Sequence, residues 1–175
     1  MTLIMYAAVS IDGIAALDSK TGIERYGSPE DREFFLAGAK SCQAVIMGKN
    51  TGSFRVFGAP NFVLTHDPAG AAASQAQDAR GLERVYLCGQ PQEICAKLEA
   101  RGIHKAALLG GPSTNLQFLR AGLVDEIFLT VEPVTIGRGI RFLNEPLESR
   151  WILADSQVLN ERGTIVLHYK KHCAD

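Results

Sequence analysis

The feature that most constrains the fold of this chain is a series of short, almost wholly apolar runs closed by Gly, Pro, Asn or Asp, at residues 3–9, 44–47, 61–64, 84–88 and 105–109. Runs of that length without polar alternation predict strands buried on both faces, as in a parallel sheet covered by helices. Helical patterns lie between them. Ser28-Pro29-Glu30-Asp31 supplies an N-cap, a proline for the first turn and two acids that suit the helix dipole, ahead of Phe34, Phe35 and Ala39. Residues 92–101 place Ile94, Cys95 and Leu98 on one face and stop at Gly102. A third helix, capped by Ser113 or Thr114, turns Leu116 and Leu119 inward and ends at Gly122. Beyond it the pattern changes. Residues 126–134, 151–159 and 163–171 are longer, and the last two are joined by Asn160-Glu161-Arg162, which predicts an antiparallel hairpin. The expectation is one α/β domain over residues 1–175: three layers, with a mixed sheet of about eight strands, helices on both faces and a C-terminal antiparallel hairpin. The Ala-rich stretch 67–81 reads as a loop with one short helix.

Charge narrows the partners. Eighteen Lys and Arg against 19 Asp and Glu leave a formal net charge of −1, which gives no broad positive field for nucleic acid or an anionic membrane. The longest uncharged stretch, 106–119, is interrupted by Gly110, Gly111 and Pro112 and is too short to span a bilayer. The first residues lack the basic flank of a signal peptide. Cys42, Cys88, Cys95 and Cys173 form no CxxC pair, so they read as reduced thiols of a cytoplasmic protein, with no metal site expected. His104, His168 and His172 share no metal-ligand spacing and read as surface or edge positions.

Open α/β sheets bind ligands beyond the carboxyl ends of their strands, which directs attention to those ends. Gly110-Gly111-Pro112-Ser113-Thr114 carries the strongest local signal, because two glycines admit close approach of a phosphate and the following helix start presents free N–H groups to it. The same residues also make an ordinary tight turn. Lys49, after Gly48, can neutralise a phosphate with help from Thr51 and Thr65, or be solvated surface; His66 is open to the same two readings, and Asp67 beside it opposes an anion. Glu132, inside an apolar run, is costly to bury unless paired or functional, and the alternative is that it faces outward. Asp12 before Gly13 is either a site acid or a turn-former. The Rossmann, Walker A and nucleophile-elbow patterns are absent.

The segments Val9-Ser10-Ile11-Asp12-Gly13, Val45-Ile46-Met47-Gly48-Lys49-Asn50-Thr51, Leu109-Gly110-Gly111-Pro112-Ser113, Gly122-Leu123-Val124-Asp125-Glu126-Ile127 and Glu132-Pro133-Val134-Thr135-Ile136-Gly137-Arg138-Gly139 follow one another in an order that resembles the dihydrofolate-reductase-like superfamily. More closely, the chain resembles the reductase domain of riboflavin biosynthesis, the C-terminal half of the bifunctional deaminase-reductase. The resemblance implies an NADPH-dependent reductase and a homodimer, with the C-terminal strands as the expected interface elements. It implies that Gly110, Gly111, Pro112, Ser113 and Thr114 hold the pyrophosphate. Gly48, Lys49, Asn50 and Thr51, with Thr65 and His66, would hold the adenosine side and its 2′-phosphate. Ala7, Ala8 and Ile14 would flank the nicotinamide. Asp12 or Glu132, or a water they position, would supply a proton, while Ser10, Asp31 and Arg55 would contact substrate. Ile14 stands where riboflavin reductases commonly carry Lys, Leu109 where they carry Glu, and Arg55 where they carry an acid, so Arg55 is expected to offer a replacement charge for the substrate phosphate. The deaminase half, with its zinc ligands, is absent from this sequence. The implied reaction is reduction of the ribosyl group of an aminopyrimidine ribosylamine phosphate; a pterin-type heterocycle reductase and a non-catalytic NADPH-binding module are the alternatives.

Overall fold

The computed structural model describes residues 1–18, 21–22, 25–51, 55–69 and 83–172. Most of the Ala-rich stretch, 70–81, and Cys173 lie outside the described residues. The chain runs β1 (Thr2–Ser10), β2 (Ile14–Ala16), α1 (Pro29–Lys40), β3 (Ala44–Gly48), β4 (Asn61–Leu64), β5 (Arg84–Leu87), α2 (Pro91–Glu99), β6 (Lys105–Leu108), α3 (Pro112–Arg120), β7 (Glu126–Glu132), β8 (Ile140–Arg141), β9 (Trp151–Val158) and β10 (Ile165–Lys171). Eight strands form one sheet in the order β5-β4-β3-β6-β1-β7-β10-β9, and β2 pairs with β8 in a small ribbon. Pairings from β5 through β7 are parallel, and β10 runs antiparallel to both β7 and β9. This is the expected mixed α/β sheet with its C-terminal hairpin.

Two apolar layers enclose the sheet. On one face Leu3, Met5, Ile46, Phe62 and Leu108 pack with Ile94 and Leu98 of α2 and Phe118 and Leu119 of α3. On the other, Tyr6, Val45, Met47 and Val63 pack with Ala39 of α1. Strands covered on both sides have no reason to alternate apolar and polar residues, which is why the central runs read as continuously apolar. β9 is the edge strand and is exposed from Ile152 to Val158.

Three details depart from the expectation. The third helix begins at Pro112 with Gly111 as its N-cap, so neither Ser113 nor Thr114 caps it; Pro at the first helical position lacks only an N–H that would have had no helical partner. The second begins at Pro91, one residue earlier than the sequence suggested. His168 is no bare edge residue. Its ring stacks on Phe128 with centroids 4.1 Å apart, and Nε2 lies 2.6 Å from the Glu126 carboxylate. Phe128 in turn stacks on Tyr6 at 5.1 Å, which continues an aromatic column beneath α1.

Candidate functional site

The sheet divides at the carboxyl ends of its central strands. β1 pairs with β6 only from Thr2 to Met5, but continues with β7 as far as Ser10 opposite Glu132. The chain leaving β6 stays with β3 instead: Leu109 N–H donates to Ile46 O at 2.8 Å and Gly48 N–H to Gly110 O at 2.6 Å. A crevice therefore opens between the β6 turn and the last half of β1, which carries small, half-buried Ala7 and Ala8. Here the connections change direction, since β1 leads through α1 on one face and β6 through α3 on the other, past β1 to β7. Such switch points are where open sheets take ligands.

The Gly110-Gly111 turn forms one wall, and its peptide bond is cis. Gly110 has φ +80°, and a β-carbon there would lie 2.9 Å from Asn115 Nδ2; a β-carbon on Gly48 would lie 2.5 Å from Thr114 Oγ1. Both positions require glycine, one for backbone hand and space, the other for the close approach of β3 to α3. Replacing Gly110 by Ala is expected to destabilise the fold by about 1–3 kcal/mol through that overlap and the positive φ. An unchanged urea midpoint would refute this account of the turn.

Around the turn, Gly48, Thr51, Gly110, Gly111 and Thr114 come together, with Thr51 Oγ1 3.3 Å from where a Gly111 β-carbon would stand. The first-turn amides of Ser113 and Thr114 have no carbonyl behind them within the helix, and they carry the positive end of its dipole. Lys49 and Asn50 are exposed beside this wall, and Lys49 N–H donates to Leu64 O, which seats buried Thr65 next to it. His66 is exposed, and Thr65 Oγ1 accepts the Asp67 N–H at 3.3 Å. The donors and the crowded glycines thus form a cradle of the right chemistry for a phosphate group. One residue in it escaped the sequence reading. Asn115 is 4% exposed, and its Oδ1 is buried without a hydrogen-bond partner. Its only sequence signal is an amide beside Leu116, Phe118 and Leu119 on the inward face of α3.

The carboxylates lie on the other side of the crevice. Asp12 Oδ1 accepts from Ser10 Oγ at 2.7 Å and from Ile136 N–H at 3.1 Å, and Oδ2 accepts from Gly137 N–H at 2.7 Å. The Ser10 hydroxyl and the two amides hold the Asp12 carboxyl down at about 2, so it is ionised at neutral pH and fastens the loop after β1 to the loop before β8. Ser10 is buried, and its hydroxyl also accepts the N–H of buried Ile14 at 2.9 Å. Glu132 is 2% exposed and faces inward. Its Oε1 accepts from Ser28 N–H at 2.7 Å and Ser28 Oγ at 3.0 Å, and its Oε2 accepts from Thr164 Oγ1 at 2.8 Å. Ser28 Oγ also accepts the Asp31 N–H at 3.1 Å, so Glu132 holds the residue that caps α1. Asp31, in the first turn of α1, sits by Thr130, which is the register partner of Ala8 on β1. Burial raises the Asp31 carboxyl above its ordinary value, the Thr130 hydroxyl offsets part of that, and the Glu132 carboxylate adds to it. Arg55 is exposed and directly follows residues outside the description. Among the described residues no three His, Cys, Asp or Glu side chains gather to hold a metal, and no helix is long and apolar enough to cross a membrane.

Fold and crevice together define an open, mixed-sheet α/β protein with a crevice at the carboxyl ends of its central strands. The chain belongs to the family of the RibD C-terminal domain, whose model matches residues 53–165. No curated protein matches the sequence. Among solved structures it is similar to a protein assigned to riboflavin biosynthesis from Shewanella sp. PV-4, with a TM-score of 0.77, 21% identity, and 99% of this chain and 100% of that one covered. It is also similar to a pyrimidine reductase-like protein from Corynebacterium diphtheriae, with a TM-score of 0.77, 18% identity, and 99% of this chain and 92% of that one covered. A diaminohydroxyphosphoribosylaminopyrimidine deaminase/5-amino-6-(5-phosphoribosylamino)uracil reductase from Thermotoga maritima matches with a TM-score of 0.75 and 12% identity; 98% of this chain aligns to 56% of that longer one.

Proposed function

We propose that the chain is an NADPH-dependent reductase of the riboflavin-biosynthesis type, acting on an aminopyrimidine ribosylamine phosphate and working as a cytoplasmic homodimer. The observation that carries this reading is the crevice between β6 and β1, walled by the Gly110-Gly111 turn and the start of α3, in a chain of the RibD C-terminal family. NADPH bound there would supply a hydride from its nicotinamide C4 to the ribosyl C1′, the reduction being completed by one proton. The residues present fit that role. Ser113 and Thr114 amides would meet the pyrophosphate, Lys49, Asn50, Thr51 and Thr65 would receive the adenosine side, and the small side chains of Ala7 and Ala8 would leave room for the nicotinamide. Asp12 and Glu132 act by holding loops and helix in place, while Asp31 faces the reacting end as substrate contact and proton carrier. Arg55 remains the expected contact for the substrate phosphate. The cofactor carries the chemistry, and the protein orients it and excludes water.

The test is NADPH oxidation, followed at its absorbance band, with the pyrimidine phosphate or dihydrofolate as acceptor. Turnover of the pyrimidine alone supports the reading; turnover of dihydrofolate alone replaces it with a pterin-type reductase, which the carboxyl of Asp31 also suits as a partner for a ring N–H. Binding of NADPH without turnover over a broad acceptor panel would leave a non-catalytic module. Lys49→Ala is expected to remove most of a preference for NADPH over NADH, roughly tenfold, because a charged hydrogen bond to the 2′-phosphate is lost. Equal affinity of the unmutated protein for the two cofactors would sink the assignment of Lys49.

A further inference from the structure

Asn115 is a buried amide whose oxygen the fold leaves unpaired. It is 4% exposed, and its Oδ1 is buried with no hydrogen-bond partner. The turn beside it is held by backbone bonds, Gly48 N–H to Gly110 O and Asn115 N–H to Gly111 O at 3.0 Å. The carboxamide packs against Gly110, with three of its atoms within 3.1 Å of where a β-carbon would stand. Burying an amide without a partner is unfavourable, and an apolar side chain of the same size would serve packing better. A side chain kept polar here has a use that the ligand-free fold does not reveal.

Its chemistry and position narrow that use. A pyrophosphate presents only acceptors, which Nδ2 can serve and Oδ1 cannot; the unpaired oxygen requires an O–H or N–H donor. Thr114 closes on Gly48, and Thr51 on Gly111, which puts both on the β3 side of the turn. One residue further along a helix is a rotation of about 100°. That rotation takes Asn115 onto the sheet-facing side with Leu116 and Phe118, behind Gly110, where β6 has lost its pairing with β1. Ala7, half-buried on that stretch of β1, lies on the α3 face, because it alternates with Met5 of the α3-side core.

We infer that Asn115 hydrogen-bonds the nicotinamide-bearing half of the dinucleotide, accepting from a hydroxyl of the ribose next to the pyrophosphate or from the carboxamide N–H. This rests on the cofactor reading above. The test compares the wild-type protein with Asn115→Leu by titration with NADPH and with 2′,5′-ADP, which carries the adenosine side alone, and by calorimetric melting without ligand. The expected result for Asn115→Leu is NADPH affinity weaker by about tenfold, 2′,5′-ADP affinity within about twofold of wild type, and a Tm equal to or above wild type. Unchanged NADPH affinity overturns the inference. So does an equal loss for 2′,5′-ADP, which would mean general damage to the turn, and so does a lower Tm, which would mean that the amide supports the fold. Should the Leu variant not fold, Asn115→Ala carries the two titrations with the same expected outcomes. If the wild-type protein binds neither ligand, the cofactor reading itself falls; if it binds both and the variant binds them equally, only the role of Asn115 does.

Discussion

Glu132→Ala is expected to cost about 3 kcal/mol of stability, because three buried donors lose their acceptor at once and each stranded group costs roughly 1–3 kcal/mol before water relieves part of it. The donors are the Ser28 amide, the Ser28 hydroxyl and the Thr164 hydroxyl. They come from the start of α1 and from the β9–β10 turn, so the carboxylate ties both to the end of β7. The tie extends further: Asn160 Nδ2 donates to Thr164 Oγ1 at 3.0 Å and to Glu30 Oε2 at 3.1 Å, which brings the hairpin turn back to the first turn of α1. Among the described residues Glu132 has no cationic partner, so its placement depends wholly on these neutral donors. In a domain of this size a loss of about 3 kcal/mol lowers Tm by roughly 6–12 °C. Glu132→Gln keeps one carbonyl acceptor and offers Thr164 a donor in place of the other oxygen, and it should recover most of the loss. Urea unfolding of the two variants decides the matter: a loss below about 1 kcal/mol in the Ala variant would show that the network does not hold the helix.

How far the sequence anticipates these contacts depends on the range over which each is determined. The central strands and the ends of α1 and α2 were legible because apolar runs and capping residues are local signals; Ser28 does cap α1, through the Asp31 amide, and Gly102 does follow α2 with φ +75°. The cap of α3 lies two to three residues before the hydroxyl residues that the sequence offers, because Gly111 caps with its backbone conformation rather than a side chain. The β2–β8 ribbon is too short to leave a periodic trace. His168 occupies a strand position that reads as edge, and only the pairing of β10 with β7 brings it onto Phe128 and Glu126. The face of Glu132 was undecidable from alternation, since its donors lie 104 and 32 residues away in sequence. The turn glycines and their neighbours on β3 were recognisable as a candidate site, from the local Gly-Gly-Pro signal and by resemblance. Asn115 was not, because an amide in an apolar helix face gains meaning only once its missing partner is seen.

Asp31→Asn is expected to lower kcat/KM on the pyrimidine substrate by about 100-fold while raising thermal stability at neutral pH. Both effects come from the same shift. Burial at the base of α1, with the Glu132 carboxylate nearby, pushes the Asp31 carboxyl above its ordinary value. The folded chain then binds this proton more tightly than the unfolded chain does. The linked stabilisation is fully present below the unfolded pKa and disappears as pH rises through the folded one, above which the ionised carboxylate sits in an unfavourable place. Asparagine removes that charge, so its advantage in Tm should shrink as pH falls into the acid range and the wild-type carboxyl becomes protonated. Catalytically the sign is the same. A group that carries a proton to substrate is competent only while protonated, so wild-type kcat/KM should fall as pH rises through the raised value, and the Asn variant should lack that limb. The two readouts separate a chemical role from a structural one, because a residue that only supports α1 would lose stability along with rate. A variant with wild-type kcat/KM and an unchanged pH profile would remove Asp31 from the reaction. The residues argued to place it, Glu132 through Ser28, would then remain as parts of the fold alone.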